Sequence, residues 1–166
     1  MEEQRFNNNV TVETFKESYG HSFKTLNLEW IEEFFVVEEE DLKILSNPKS
    51  YVIDKGGEIF FALKAGKVIG TSAMVLVKPK IFELAKMAVD KNFQGQGVGR
   101  ILINASIEFA RKRSATEIFL VTNDKLKPAL NLYKSSGFNF DLDYDDTRYE
   151  RGNTKMVLDI DKGENL

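Results

Sequence analysis

Residues 81–100 read IFELAKMAVDKNFQGQGVGR, a stretch that joins a strand pattern to a glycine-rich loop and the first turn of a helix. Apolar residues at Leu84, Met87 and Val89 indicate a strand over residues 81–89. After the loop, a helix over about residues 98–112 is predicted by apolar positions three and four residues apart, at Val98, Ile101, Leu102, Ala105 and Phe109. The stretch therefore predicts a strand–loop–helix unit.

The loop has the composition of an anion site. The first turn of a helix carries N–H groups without an intrahelical acceptor, and the helix dipole adds partial positive charge there. Glycine at positions 95, 97 and 99 lets the backbone approach a phosphate closely. The loop is not a Walker A motif, and it lacks dinucleotide spacing because the third glycine of that spacing falls at Arg100. It matches Q/R-x-x-G-x-G/A at Gln94, Gly97 and Gly99, which chance supplies in roughly one such chain in six or seven. A ligand-free strand-to-helix turn therefore stays an alternative.

The flanking sequence predicts a mixed sheet. Further strands are predicted over residues 59–63, 68–77, 118–121, 138–140 and 154–160. The first two are joined by a turn at Gly66 and form an antiparallel meander with the strand at 81–89. A second helix, over about residues 127–136, begins at Pro128 and ends at Gly137. The fully apolar run at 118–121 indicates a strand that is covered on both faces.

Residues 1–50 are acidic and irregular, and they are predicted to form two or three short helices. Trp30, Phe34 and Phe35 form an aromatic stripe, which we interpret as a helix face packed on the sheet rather than as a cover over an acceptor cleft. The acidic run at 38–41 is interpreted as a solvated turn rather than as a source of a catalytic carboxylate.

Composition excludes several classes of site. The chain has 166 residues, 42% of them hydrophobic and 30% charged, as expected for one globular domain. The absence of cysteine excludes disulfides and thiolate metal sites, and a single histidine, His21, argues against a catalytic triad. A net charge of −3 without a basic block argues against nucleic-acid binding. The polar start is unlike a signal peptide, and no apolar run nears the roughly 20 residues of a membrane span. We therefore expect a cytoplasmic protein with no metal, nucleic-acid or membrane partner.

A second motif lies downstream, where residues 128–138 read PALNLYKSSGF and match A-x-x-L-Y-x-x-x-G-F. Together with residues 82–100, this motif makes the chain similar to the GNAT superfamily of N-acetyltransferases over about residues 56–160. The resemblance implies an α+β fold with a central, mostly antiparallel sheet of about six or seven strands. That sheet is splayed between strands 4 and 5 and flanked by helices.

The resemblance also implies one N-acetyltransferase domain over residues 1–166, with a helical acceptor-side region at 1–50 and a sheet and acetyl-CoA-binding core at 51–160. In this family acetyl-CoA is a co-substrate that wedges between the splayed strands. The residues that would line the gap are Met87, Ala88 and Val89, with the Val89 N–H holding the thioester carbonyl. Those that would hold the pyrophosphate are Gln94, Gly95, Gln96, Gly97, Val98, Gly99 and Arg100.

Two further contacts with the cofactor are implied less directly. Many members carry an asparagine three residues before the motif alanine, and here that position is Leu126. Asn123 and Asn131 are the candidates to replace it. Lys91 or Lys127 is the candidate for the cofactor's remaining phosphate.

The family's usual reaction is direct attack of a neutral amine on the thioester, which needs a base and an acid but no metal. Tyr133 matches the family's acid, the alternative being a packed helix residue with a hydrogen-bonded hydroxyl. Glu83 is the candidate base, and a solvated strand carboxylate is an equal alternative. The acceptor is expected to be a primary amine of a small molecule or, less so, of a protein.

Other functions stay open at this point. The main alternative is a non-catalytic acyl-CoA-binding sensor or partner module, and a Rossmann-type nucleotide binder is the third. A polar, aromatic stretch before the last strand would select a cationic amine, form a solvated loop or make the contact of a homodimer; it consists of Tyr144, Asp145, Asp146, Arg148 and Tyr149.

Overall fold

Seven strands and four α-helices make up the parts of the chain that the computed structural model describes, residues 9–144 and 151–160. The strands are β1 (Val10–Thr14), β2 (Glu58–Lys64), β3 (Lys67–Lys78), β4 (Ile81–Val89), β5 (Glu117–Thr122), β6 (Asn139–Asp141) and β7 (Thr154–Asp159). The helices are α1 (Gly20–Phe34), α2 (Glu39–Ser46), α3 (Val98–Lys112) and α4 (Lys127–Ser135). Short 3₁₀ turns lie at Glu17–Tyr19 and Lys91–Phe93, and a π-helical turn lies at Lys49–Ile53. Within these ranges, no helix combines the length and the apolar character that a bilayer span requires.

All strands form one sheet in the order β1-β2-β3-β4-β5-β7-β6. Every neighbouring pair is antiparallel except β4 and β5, which run parallel. The parallel pairing extends over three residue pairs, from Ile81↔Glu117 to Glu83↔Phe119, although β4 continues to Val89. Beyond Glu83 the two strands part. This confirms the predicted α+β fold with a mostly antiparallel sheet that opens between strands 4 and 5.

Both faces of the sheet are covered. Strand β2 shows this best, since alternate side chains of a strand point to opposite faces. Phe60 and Ala62 join a core that includes Leu102 of α3, together with Leu130 of α4. The other core contains side chains of β2, α1 and α2, namely Ile59, Phe61, Leu63, Phe23, Ile31 and Leu45. Helices α3 and α4 therefore lie on one face, and α1 and α2 on the other.

The N-terminal region differs from its prediction of helices alone. Val10–Thr14 forms the edge strand β1, which pairs with β2 from Lys64 to Phe60. Its five residues are partly exposed and largely polar, so the local pattern is too short to distinguish a strand from a loop. The pairing partner decides the structure. The predicted helices at 98–112 and about 127–136 are confirmed within one residue.

Strand β4 contains a bulge beside the point where it leaves β5. Thr71 pairs with Ala88 and Ala73 pairs with Ala85, so β4 holds one residue more than β3 between these pairs. Within the bulge Lys86 has a φ of 50°, in the left-handed region. That conformation costs a non-glycine residue on the order of 1–2 kcal/mol. A buried contact of the Lys86 side chain can offset this cost.

That contact comes from Asp41 on α2. The Asp41 carboxylate is fully buried, and Lys86 Nζ donates to its Oδ1 at 2.6 Å. Arg151 donates to both carboxylate oxygens, at 2.9 Å from Nη1 to Oδ2 and more closely from Nη2 to Oδ1. Arg151 also donates to Glu38 at 3.0 Å. The interpretation of residues 38–41 as a solvated turn was therefore wrong for Asp41, which is buried. The local sequence could not show this burial, because Lys86 and Arg151 lie far from Asp41 along the chain.

The electrostatics of this cluster favour the ion pairs. Burial acts to raise the pKa of Asp41, but hydrogen bonds from Arg151 and the charge of Lys86 outweigh it and hold the pKa below its usual range. Burial lowers the pKa of Lys86, and the neighbouring Asp41 carboxylate opposes that shift. Asp41 therefore stays ionised at neutral pH, and it ties α2 to the bulge of β4.

We expect Asp41→Asn to lower the free energy of unfolding by about 3–5 kcal/mol, because it leaves two buried cations without their shared carboxylate. Urea denaturation at pH 7 measures the change. Asp54→Asn is the matched control, since Asp54 pairs with Lys49 at 2.9 Å while both side chains are more than half exposed. It should change the unfolding free energy little. Equal losses in the two variants would contradict the importance of the buried pairs.

The wild type and the Asp41→Asn variant should also differ in their pH dependence. Because the folded pKa of Asp41 lies below its unfolded value, its contribution is complete above about pH 4 and is lost as the pH falls further. The difference in unfolding free energy between wild type and Asp41→Asn should therefore shrink in acid. A difference that does not shrink at all between about pH 5 and pH 2 would mean that the substitution disturbs packing rather than charge.

Candidate functional site

A cleft of about 840 Å³ opens where β4 and β5 part. Its walls come from the ends of both strands, from the glycine loop and from the beginning of α4. They include Glu83, Met87, Ala88, Val89, Gln94, Gly95, Gly97, Val98, Gly99, Arg100, Asn123 and Tyr133. The structure therefore brings twelve of the fourteen predicted site residues together around one cavity, and Gln96 and Asn131 are the two that it leaves outside.

The glycine loop is shaped by backbone conformations that favour glycine. Gly95 and Gly97 have φ values of 76° and 83°, and Gly97 is the N-cap of α3. No atom lies within 4 Å of the position that a Cβ would take at either residue, so the space above the loop is open. The first residues of α3, Val98 to Arg100, line the cleft. Their unpaired N–H groups make this end of the cleft suitable for an anion.

Contacts around the loop hold it in place. Gln94 Nε2 donates to the Val89 carbonyl at 3.2 Å, which ties the loop to the end of β4. Arg100 Nη2 donates to Ser135 Oγ at 2.7 Å and thereby reaches α4. A Cβ at Gly99 would lie 2.9 Å from Cδ2 of Leu132 on α4, so a larger residue there would push that leucine side chain aside. Gln96 turns away from the cleft and donates to the Asn92 carbonyl at 3.3 Å.

Strand β4 offers backbone to the cleft. From the bulge onward, its residues pair with β3 on one side, and the β5 pairing on the other side has already ended at Glu83. Met87, Ala88 and Val89 line the cleft along this unpaired edge. An extended ligand can therefore hydrogen-bond there as an added strand does.

Tyr133 lies on α4 with its side chain half-buried in the cleft wall. Its ring packs edge-on against Phe138, with 6.2 Å between the ring centroids. Among the described residues, the Tyr133 hydroxyl has no hydrogen-bond partner, which differs from the alternative of a hydrogen-bonded structural tyrosine. Burial raises the pKa of Tyr133 to about 12, so the phenol is protonated at neutral pH. It can act as a proton donor to a group in the cleft.

Glu83 lies at the fork itself, as the last residue of β4 that pairs with β5. Its exposed fraction is 7%, so the alternative of a solvated strand carboxylate was wrong. The side chain lines the cleft. Its position between two strands could not be read from the strand pattern, because the pattern does not show which neighbour covers a residue.

The two asparagines occupy different places. Asn123 is buried in the cleft wall, where its Nδ2 donates to the Arg151 carbonyl at 2.8 Å and its Oδ1 accepts from the Lys125 N–H at 2.9 Å. Its amide thus holds the loop after β5. Asn131 is exposed on α4 and does not line the cleft.

The structure also changes which lysine is the candidate for binding the cofactor's remaining phosphate. Lys91 lies 3.3 Å from Glu33 on α1. Neither Lys91 nor Lys127 lines the cleft, whereas Lys125 does. The sequence carries no signal for this choice beyond the position of Lys125 close to the start of α4.

The opposite wall contains the aromatic stripe that we interpret from the sequence as a helix face packed on the sheet. Trp30, Phe34 and Phe35 line the cleft from the end of α1, beside Lys86 and Arg151. Trp30 and Phe35 also pack against the core under α1, as their stripe predicted, whereas Phe34 remains 57% exposed. The interpretation as sheet packing alone was therefore incomplete. The i, i+4 spacing of Trp30 and Phe34 is the signal, but it does not distinguish a core face from a cleft wall.

The polar stretch before β7 is described only in part. The structure describes Tyr144, whereas Asp145, Asp146, Arg148 and Tyr149 lie outside the described residues. Among residues 9–144 and 151–160, no three His, Cys, Asp or Glu side chains are grouped so that they could hold a metal ion.

Known proteins share this sequence pattern and fold. Rat N-acetyltransferase 8 is 33% identical over 95 residues, which are 54% of this chain and 43% of the rat protein, so the chain spans less than half of that relative. A GNAT-family acetyltransferase from Staphylococcus aureus Mu50 superposes with a TM-score of 0.83 at 19% identity, over 91% of this chain and 99% of the other.

A PaiA N-acetyltransferase from Thermoplasma acidophilum, whose structure holds coenzyme A, superposes with a TM-score of 0.71 at 12% identity, over 90% of this chain and 98% of the other. At these identities the two structures bear on the fold alone. The model of the acetyltransferase (GNAT) family matches residues 14–138. With the parted strands and the glycine loop in the same range, this match shows that the chain belongs to the GNAT acetyltransferase family.

Proposed function

We propose that this protein transfers an acetyl group from acetyl-CoA to a primary amine by direct attack of the amine on the thioester. The observation that carries the proposal is one continuous cleft, with an anion-binding loop at the head of α3 and Tyr133 in its wall. A non-catalytic acyl-CoA-binding module would need the loop and the edge of β4 but not Tyr133 or Glu83.

The donor would bind along β4. Its pyrophosphate meets the N–H groups at residues 97–100, and its pantetheine arm follows the unpaired edge at Met87 to Val89. The loop's open space at Gly95 and Gly97 leaves room for the phosphates. The coenzyme A complex of the Thermoplasma relative supports this choice of donor.

The reaction would proceed through a tetrahedral intermediate. The amine nitrogen attacks the thioester carbon, the Val89 N–H stabilises the oxyanion, and the C–S bond then breaks to release the amide and coenzyme A. The proton lost by the amine passes to Glu83, directly or through water. The departing sulfur takes its proton from the Tyr133 hydroxyl, which is then reprotonated from solvent.

The pKa of about 12 bears on the acid step. It keeps Tyr133 protonated at neutral pH, but it lies above the ordinary thiol value of about 8.5. An apolar cleft also raises the pKa of a thiol generated there, which narrows the difference between the pKa of the thiol and that of Tyr133. We therefore place the proton transfer together with C–S cleavage, when negative charge is building on sulfur.

Tyr133→Phe tests the proposal, because it removes the hydroxyl and keeps the ring. We expect kcat for thiol release with a reactive amine to fall by about 10²–10⁴-fold, while the Kd for acetyl-CoA stays within about twofold. A thiol-reactive dye measures the rate, and titration calorimetry measures binding. Tyr51→Phe is the matched control, since Tyr51 lies outside the cleft.

Two results would contradict the proposal that this protein is an enzyme. A Tyr133→Phe variant that retains the full rate would contradict the assignment of Tyr133 as the acid. A wild-type protein that binds acetyl-CoA tightly but releases no thiol with any amine would favour the module. Stabilisation by NAD and not by acetyl-CoA would instead favour a nucleotide binder.

Glu83→Gln tests the base through the pH dependence of kcat/KM. At pH 7, where the amine is mostly charged, we expect a fall of about 10²-fold or more. Near the pKa of the amine the deficit should shrink, because a larger fraction of the amine is then already neutral and needs no deprotonation before it attacks. The control is Glu108→Gln, on the exposed face of α3. A deficit that is equal at every pH would indicate a structural role for Glu83.

A further inference from the structure

The cleft passes through the sheet, and its two sides differ. The glycine loop and α4 border it on the face covered by α3 and α4, which we call the donor side. On the face covered by α1 and α2, which we call the acceptor side, the wall consists of Trp30, Phe34, Phe35, Ile44 and Val75, with Lys86 and Arg151. The acceptor side is thus mainly apolar and aromatic.

We call Trp30, Phe34 and Phe35 the aromatic wall, and contacts within the protein position two of its three side chains. Trp30 Nε1 donates to Asn27 Oδ1 at 3.4 Å, and Asn27 is itself buried, with its Nδ2 bound to the Phe23 carbonyl at 2.9 Å. The rings of Trp30 and Phe35 meet edge to face, with centroids 6.3 Å apart. An indole fixed by a buried amide is a preorganised surface, which is what a binding wall needs.

Phe34 completes the wall but is not covered by the protein. Its side chain is 57% exposed although it lines the cleft. A large aromatic ring that faces a cavity gains when an apolar ligand removes it from water. The uncovered ring therefore indicates where the body of an acceptor would pack.

The charges on the acceptor side narrow the choice of acceptor. Lys86 and Arg151 both bind the Asp41 carboxylate, and Arg151 also binds Glu38. Within residues 9–144 and 151–160, the Asp41 and Glu38 carboxylates thus already engage both cations of the acceptor side, so neither cation is dedicated to an acceptor's own carboxylate. Among the described residues that line the cleft, Glu83 is the single acidic side chain. One carboxylate suits one ammonium group, whereas a polyamine calls for several.

We infer that the acceptor is a primary amine carried on an apolar body about the size of one aromatic ring, without a carboxylate and without a second ammonium group. The inference rests on the proposed function and specifies its substrate class. The ring packs on the aromatic wall, and the amine reaches towards Glu83 and the thioester.

Three amines test the class with acetyl-CoA as donor. Phenethylamine has the ring and one amine, L-phenylalanine adds a carboxylate to the same body, and spermidine has several amines without a ring. We expect kcat/KM for thiol release to be at least about tenfold higher with phenethylamine than with either of the others. Mass spectrometry identifies the acetylated product.

A variant pair tests the wall. Phe34→Ala should raise the KM for phenethylamine by about tenfold or more and leave the KM for acetyl-CoA unchanged. Because Phe34 is exposed, the fold should tolerate the change, which thermal unfolding checks. Phe140→Ala is the matched control, since Phe140 is 42% exposed on β6 and lies outside the cleft.

The outcomes separate the two proposals. A preference for L-phenylalanine or spermidine, or an unchanged KM in Phe34→Ala, would overturn the acceptor class while thiol release upholds the transferase. Absence of thiol release with all three amines and with a broader panel would overturn the transferase, and the acceptor class with it.

Discussion

The shortness of the contact between β4 and β5 is the constraint on which the rest of this structure depends. The two strands are hydrogen-bonded partners over three residue pairs, and β4 then continues without a neighbour on that side. Unpaired backbone inside a protein is costly unless a ligand or water satisfies it. The parted strands therefore create both the cavity and a row of groups that can bind an extended ligand. A sheet that paired along its full length would have neither.

A buried ion-pair cluster lies beside the point of divergence, on the acceptor side. The bulge places Lys86 in a left-handed conformation, and the buried Asp41 carboxylate holds its side chain from α2. Arg151, which precedes β7, joins the same carboxylate, so three separate parts of the chain meet beside the fork. An ion pair of this kind adds little net stability compared with apolar packing, but it specifies one arrangement. Here the arrangement sets the position of the residues that follow in β4.

The two faces of the sheet are suited to different ligands. On one face, a helix N-terminus and open glycines suit a phosphate-bearing donor. On the other, an aromatic wall and matched charges suit an apolar amine. Tyr133 and Glu83 line the passage between them, one protonated by burial and one at the fork of the strands. In the proposed reaction, the thioester and the amine would therefore meet where both a proton donor and a carboxylate are available.

The sequence by itself determined the strand–loop–helix unit at residues 81–112 and the helix that carries Tyr133, because hydrophobic periodicity, glycine and proline act within a few residues. Most of the donor side followed from these local signals. Only the tertiary structure decided that Val10–Thr14 is a strand, that Asp41 is buried and that Trp30, Phe34 and Phe35 border the cleft. Lys86 and Arg151 lie 45 and 110 residues from Asp41, and no local pattern records such pairs. The charged part of the acceptor side is built from contacts of this long range, since Lys86 and Arg151 are both held by Asp41 on α2.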